Sequence, residues 1–243
     1  MPPSPESHEE RVQRALSTAD QLGVGHISAA SYSHGLHGPG GDFVELLEVH
    51  GSLLAVLGDV SGKGVAASLV AAVVLTSVQH HVAAFGLNPG ALLANVGHSV
   101  SSVLDRTGTI VTLAIAIVNP IEKRLRLASA GHHPVVLASP ERFERLGPTC
   151  PPLGADLPCG DEVSTEFEAG TVLLMTSDGV TEQPNGDGEE FGLDRLTWLA
   201  DDSRRRSPAA AVARVLHAVE FFAGATQPVD DRALIVVRAG PHP

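Results

Sequence analysis

The segment "DFVELLEVHGSLLAVLGD", residues 42–59, constrains this chain more than any other. Two extended apolar runs, 42–49 and 52–59, flank His50-Gly51. A glycine suits a tight hairpin turn there, and histidine tolerates a positive φ. Pairing symmetrically about that turn sets Asp42 directly opposite Asp59. Opposed side chains share one face, with Cβ atoms about 4.5–5.5 Å apart. Two ionised carboxylates so placed repel each other. Either one holds a proton, or a cation lies between them, or the strands fray before reaching them.

The rest of the chain alternates strands with helix pairs. Residues 5–22 read as a short polar helix, giving an N-terminal helical extension over 1–25 and one domain over 26–243. From Gly64 to about Phe85 the chain is Ala/Val/Leu-rich at helical spacing. Asn88-Pro89 then supplies a cap and first position for a second helix to about Leu104. Strand signals return at Thr109–Val118, "KRLRLASAG" and Pro134–Ala138. A loop-rich region from Gly147 to Asp161 precedes the strand "TVLLMTSDG", which ends at Asp178. Helices over Leu193–Ala200 and Ala209–Phe222 lead to a last strand, "RALIVVR". Short turns between neighbouring strands imply antiparallel pairing, and each helix pair must cover a sheet face. The expected fold is therefore α+β: a four-layer α-β-β-α sandwich of two mainly antiparallel sheets flanked by helix pairs. Aromatic residues make up only 4% of the chain, so its core is expected from Ala, Val, Leu and Ile.

Several chemistries are excluded. "GDVSGKG" (58–64) is not a phosphate-binding P-loop: Leu57 stands where the first glycine belongs and Gly64 where the hydroxyl belongs. "GDVSG" is not a serine-hydrolase elbow, and "HEERV" lacks the second histidine of a zinc-protease helix. Of the histidines, His132 in "SAGHHP" stands out, and a structural turn role suits it better than ligation. Cys150 and Cys159 make neither a disulfide framework nor a zinc quartet, and neither has an arginine six residues on, as a cysteine-phosphatase loop requires. A net charge of −12 argues against a nucleic-acid partner. The longest apolar stretch, Leu69–Leu75, is far short of the roughly 18–20 residues of a membrane span, and the N-terminus lacks a signal core. A soluble, cytoplasmic chain with no membrane partner is expected.

The pairing of an apolar strand with an aspartate at its mouth recurs. "LLMTSDGV" ends a strand at Asp178, and "VDDRALIVV" opens one with Asp230 and Asp231. Aspartate is depleted in strands. Each site alone reads as a turn or a solvated strand end, but four of them in one chain point to all-oxygen ligation of Mg²⁺ or Mn²⁺.

"GPGGDF", "LLAVLGDVSGKGVAASLV", "LRLASAGHHPVVL", "GTVLLMTSDGVTEQPNGDGEEFG" and "DDRALIVVR" resemble, in order and spacing, the SpoIIE-like branch of the type-2C metal-dependent protein phosphatases, which includes SpoIIE and RsbU. The resemblance runs from about residue 26 to the C-terminus. It implies the same four-layer sandwich, with two Mn²⁺ or Mg²⁺ ions held between the sheets. By motif, Asp59 would bridge the ions and the Val60 carbonyl would bind the second. Asp178 and Asp230 would complete the first ion's shell, with Asp231 the less favoured alternative, and Asp42 would ligate or hold metal-bound water. Such a cation pair activates water for in-line attack on phosphorus and needs no side-chain nucleophile.

The resemblance further implies a phosphoserine or phosphothreonine protein as substrate, in this branch typically a STAS-domain anti-anti-sigma factor. Two departures bear on activity. Lys63 stands where the branch often has histidine, and Arg232-Ala233 replaces an apolar residue and threonine. No sensory domain is visible, so control is expected from a regulatory protein partner or from residues outside this chain. Two other functions compete: a non-catalytic docking module for a phosphoprotein, and, from "GGDF", a nucleotide cyclase, which lacks the Glu before Phe43 and leaves the later aspartates without a role.

Overall fold

The computed structural model describes residues 20–36, 38–85, 87–155 and 159–241. Five strands form one antiparallel sheet in the order β3 (Phe43–Val49), β4 (Ser52–Val60), β5 (Val111–Asn119), β6 (Arg124–Ala130) and β9 (Val163–Glu166). Six form the other, in the order β1 (Gln21–Val24), β2 (Ile27–His34), β11 (Arg232–Ala239), β10 (Val172–Thr176), β7 (Val135–Ala138) and β8 (Phe143–Leu146). Among the described residues there are five helices: α1 (Val65–Phe85), α2 (Pro89–Thr107), the single turn α3 (Asp178–Thr181), α4 (Gly192–Ser203) and α5 (Pro208–Ala223).

Three apolar layers separate the four structural layers. Val74, Val78, Leu93 and Val96 of α1 and α2 pack on Leu54, Val56, Leu113 and Ile115. Leu53, Leu57, Ala116, Leu173, Ile235 and Val237 fill the space between the sheets. Leu196, Leu199, Val215 and Val219 of α4 and α5 cover Leu174, Leu234 and Val236. Among the described residues, three aromatic side chains, Phe43, Phe167 and Phe191, rank with the largest fully buried groups. Small aliphatic residues do the rest, as the composition requires.

The β3–β4 hairpin has the expected register. Val49 pairs with Ser52 and Phe43 with Gly58, and His50 and Gly51 have φ of 49° and 73°. Two positive φ values in succession match the twist of the flanking strands. Asn88 caps α2 by accepting from the Ala91 amide at 2.8 Å. By length and mean hydropathy (1.5) Val65–Ala84 would suit a membrane span, yet half of that window is buried in the fold.

Several elements depart from the expectations. Residues 21–24 form a strand paired with β2, so the sheet takes in part of the segment given to the N-terminal helix; residues 5–19 lie outside the described residues. β2, "ISAASYSH", is rich in Ser and Ala and carries little strand propensity of its own. β8 and β9 are four-residue edge strands with mixed exposure, too short to show an apolar run. Cys150 and Cys159, which gave no disulfide framework by number, are bonded to each other.

Candidate metal centre

Alternation along the strands decides which way the acidic groups face. Leu53, Ala55 and Leu57 of β4 point between the sheets while Leu54, Val56 and Val60 point to the helices, so Asp59 falls on the inter-sheet side. By the same count Asp42 follows Val44 and Leu46, and Asp231 follows Ala233 and Ile235. β10 ends at Thr176, and the chain turns at Ser177 into the one-turn α3, which opens with Asp178. Four chain segments far apart in sequence thus deliver carboxylates to one end of the inter-sheet layer.

Their proximity is recorded in their acidities. Burial pushes Asp59 up to about 6, and the charges of Asp178, Asp230 and Asp231 push the same way, while a hydrogen bond with Asp42 opposes them. Asp42 is held well above the usual carboxylate range, by burial and then by Asp59, with a hydrogen bond to Ser177 in partial compensation. Gathering these groups costs desolvation first and mutual repulsion second, and a divalent cation would relieve both. All the donors are hard oxygens, the set that Mg²⁺ and Mn²⁺ prefer. The backbone leaves no slack around them. A Cβ on Gly41 would lie 2.5 Å from the Val60 carbonyl oxygen, and one on Gly179 would lie 1.8 Å from the Asp231 carbonyl oxygen.

Asp230 and Asp231 differ sharply. Asp231 is buried, and its Oδ1 accepts from the Leu36 amide at 2.7 Å while its Oδ2 accepts from the Gly41 amide at 3.0 Å. Both of its oxygens thereby hold the loop that leads into Asp42. Asp230 is more exposed and receives Lys63, whose Nζ lies 3.0 Å from Oδ1 and also donates to the Val229 carbonyl at 2.9 Å. Arg232, on the opposite face of β11, donates to Gln183 Oε1 and interacts with Tyr32 and Glu220, away from the acidic group.

A second convergence was not legible from the sequence. Donor atoms of His133, Asp178 and Glu182 lie within 4.8 Å of one another. Asp178 and Glu182 meet because they are four residues apart on one helical turn, closed by the Glu182 amide bonding the Asp178 carbonyl at 2.7 Å. His133 is set opposite by its neighbour. His132 is buried, its Nδ1 is hydrogen-bonded to Thr112 Oγ1 at 2.9 Å, and burial drops its pKa to about 3, so the ring is neutral. That is the turn role expected of His132. Thr112 in turn pairs with Asp59 across β4 and β5.

The family model for Stage II sporulation protein E (SpoIIE) matches residues 50–240. The chain belongs to the SpoIIE family. No curated protein matches it. Among solved structures, this SpoIIE-family chain is similar to the SiaA PP2C domain of Pseudomonas aeruginosa, with a TM-score of 0.79 at 20% identity, over 86% of this chain and 85% of that one. It is similar to the RsbU and RsbW domains of Rv1364c from Mycobacterium tuberculosis, with a TM-score of 0.72 at 23% identity, over 90% of this chain and 62% of that one. It is also similar to the catalytic domain of the serine/threonine protein phosphatase PstP, solved with two manganese ions, with a TM-score of 0.66 at 14% identity, over 88% of this chain and 99% of that one. These likenesses establish that the SpoIIE-family domain has the PP2C phosphatase fold.

Proposed function

We propose that this chain is a metal-dependent protein serine/threonine phosphatase working with two divalent cations, Mn²⁺ or Mg²⁺. The observation that carries the reading is the gathering of Asp42, Asp59, Asp178 and Asp230 at one end of the inter-sheet layer, where burial first and neighbouring carboxylates second raise the pKa values of Asp42 and Asp59. Asp59 and the Val60 carbonyl, Asp178 and Asp230 would hold the ions, with Asp42 at their edge. We give ligation to Asp230 rather than Asp231 because both Asp231 oxygens are committed to backbone amides. When bound, two such cations supply Lewis acidity toward a phosphoryl group and generate a nucleophile from water at neutral pH.

The protein's own contribution is placement. Asp231 fixes the loop before Asp42, Ser177 donates to Asp42, and the β3–β4 ladder ends at Phe43–Gly58, just before Asp42 and Asp59, which share a hydrogen bond. Cysteine nucleophile chemistry has no thiol to use, since both cysteines are bonded to each other. We assign the substrate to the phosphoserine or phosphothreonine proteins, with a phosphorylated STAS-domain regulator the specific expectation that the sequence resemblance supports. A protein that binds and presents that regulator would supply control.

The test is hydrolysis of p-nitrophenyl phosphate and of a phosphoserine protein by the purified chain with Mn²⁺. Activity should vanish with EDTA and in Asp59→Ala and Asp178→Ala. Turnover that survives chelation and both substitutions would remove the two-cation mechanism.

A further inference from the structure

The two cysteines of this chain form a bridge whose loop braces the backbone of the candidate metal centre from behind. Leu153, inside the bridged loop, exchanges both backbone hydrogen bonds with Val111, at 3.0 and 2.9 Å. Val111 pairs on its other side with Val60, whose carbonyl is the candidate ligand. Three backbone segments therefore lie in one ladder: Leu153, Val111, Val60. At the start of the loop, the Cys150 amide donates to the Ser129 carbonyl and the Cys150 carbonyl accepts from the Gly131 amide at 2.8 Å. Gly131 begins the turn that carries His132 and His133. Pro152 packs so tightly there that a Cβ on Gly131 would lie 2.2 Å from it. At the far end, a Cβ on Gly90 of α2 would lie 2.1 Å from the Gly160 carbonyl oxygen, so the residue after Cys159 rests on α2.

We propose that the Cys150–Cys159 bridge is a redox-sensitive brace, and that its opening weakens cation binding at the centre. The inference rests on the two-cation reading above. A closed bridge limits the conformations open to Pro151–Gly154, the stretch that presents Leu153 to Val111 and Pro152 to Gly131. Without it, that stretch relies on the two Leu153–Val111 backbone hydrogen bonds and the buried Leu153 side chain. Both cysteines are partly exposed, and Cys159 lines a cavity of about 420 Å³ with Gly97, His98, Ser101 and Leu153, so a reductant has a way in. The reaction balances with a dithiol as co-reactant. The S–S bond takes two electrons and two protons to give two thiols, and the dithiol loses the same to become a disulfide. Bridges of this kind in glutathione- or thioredoxin-poised compartments are rarely permanent and often sensing.

Linkage makes the proposal testable in two directions. If the bridge favours cation binding by some factor, bound cation must favour the bridge by the same factor. The bridged chain is compared by Mn²⁺ titration calorimetry with chain reduced by dithiothreitol, alkylated and desalted, and with the Cys150→Ser/Cys159→Ser variant. Mass spectrometry of the intact chain, with thiol counting before alkylation, confirms each state, and circular dichroism confirms that each is folded. Mn²⁺ binding should weaken by about fivefold or more in both open forms, the low end for linked sites. Saturating Mn²⁺ should shift the dithiothreitol equilibrium toward the bridge by the same factor. Equal Mn²⁺ affinity in folded open and bridged chain overturns the brace and leaves the two-cation reading standing. Two free thiols in the purified, air-equilibrated chain also overturn it. Absence of Mn²⁺ binding in every form overturns both.

Discussion

Lys63 Nζ lies 3.0 Å from Asp230 Oδ1, so the ammonium of the β4–α1 loop already sits on a carboxylate that the two-cation reading assigns to metal. Both groups are substantially exposed, which limits the strength of the pair. A cation entering at Asp230 must displace or tolerate that charge. Lys63→Gln is expected to tighten Mn²⁺ binding by up to about fivefold at low salt, since exposed pairs are worth about 1 kcal/mol at most. The gain should shrink as ionic strength rises. Calorimetric titration at two salt concentrations checks this, and weaker binding in the variant would show that Lys63 supports the site instead.

The raised pKa of Asp59 implies a pH-dependent cost in the metal-free protein. Its pKa is 3.8 unfolded and about 6 folded, so the folded chain binds more protons across that window. Stability from this group is then full below pH 4 and is lost as pH rises toward 6 and beyond. Buried His132 runs the other way, because its folded pKa near 3 stabilises the fold increasingly as pH rises. The raw stability curve mixes the two, and the difference between variants isolates the first. Metal-free Asp59→Asn should match the wild type near pH 4 and exceed it by up to about 3 kcal/mol at pH 7. Urea unfolding at both pH values measures this. Added Mn²⁺ should reverse the order at pH 7 by stabilising the wild type alone.

Much of this centre was readable because strand periodicity is rigid. A turn at His50-Gly51 fixes every cross-strand partner, so Asp42 and Asp59 fall on one face with no further information. Apolar runs likewise announced β4, β5, β10 and β11. What escaped was structure that depends on partners distant in sequence. β2 is an interior strand rich in Ser and Ala, held by β1 and β11 rather than by its own propensity. The division of labour between Asp230 and Asp231 turns on two amides nearly two hundred residues away. His133 gave no signal because Asp178 and Glu182, more than forty residues on, come beside it only through the pairing of β7 with β10. The disulfide was invisible in a count of two cysteines nine residues apart.

The adjacent aspartates should separate cleanly in mutants. Asp231→Ala removes the acceptors of the Leu36 and Gly41 amides, one of them buried, and should cost about 2–3 kcal/mol of stability. Asp230→Asn removes a partly exposed charge that repels its neighbours, so stability should hold or rise while Mn²⁺ affinity drops by an order of magnitude or so. Chemical denaturation paired with Mn²⁺ titration gives both numbers for each variant. The opposite pattern, with Asp231→Ala folded as firmly as wild type but unable to bind Mn²⁺, would exchange the two assignments.

Gly41 offers a test that touches no charge. Its missing side chain is what lets the loop before Asp42 lie against the Val60 carbonyl, since a Cβ would stand 2.5 Å from that oxygen. Neither side can yield cheaply. The loop is tied by Asp231 Oδ2 to the Gly41 amide itself, and Val60 is the last paired residue of β4. Gly41→Ala should therefore cost about 1–3 kcal/mol, in the range of overpacked sites. It should also move either Asp42 or Val60, two of the groups assigned to the cations, and lower Mn²⁺ affinity together with phosphatase turnover. Gly51→Ala, at a turn with open space around it, serves as a comparison that strains the backbone but leaves the centre alone. If the two alanine variants lose similar stability and only Gly41→Ala loses Mn²⁺, the close approach of the loop to Val60 is what shapes the centre; equal retention of Mn²⁺ by both would show that the loop can retreat without consequence.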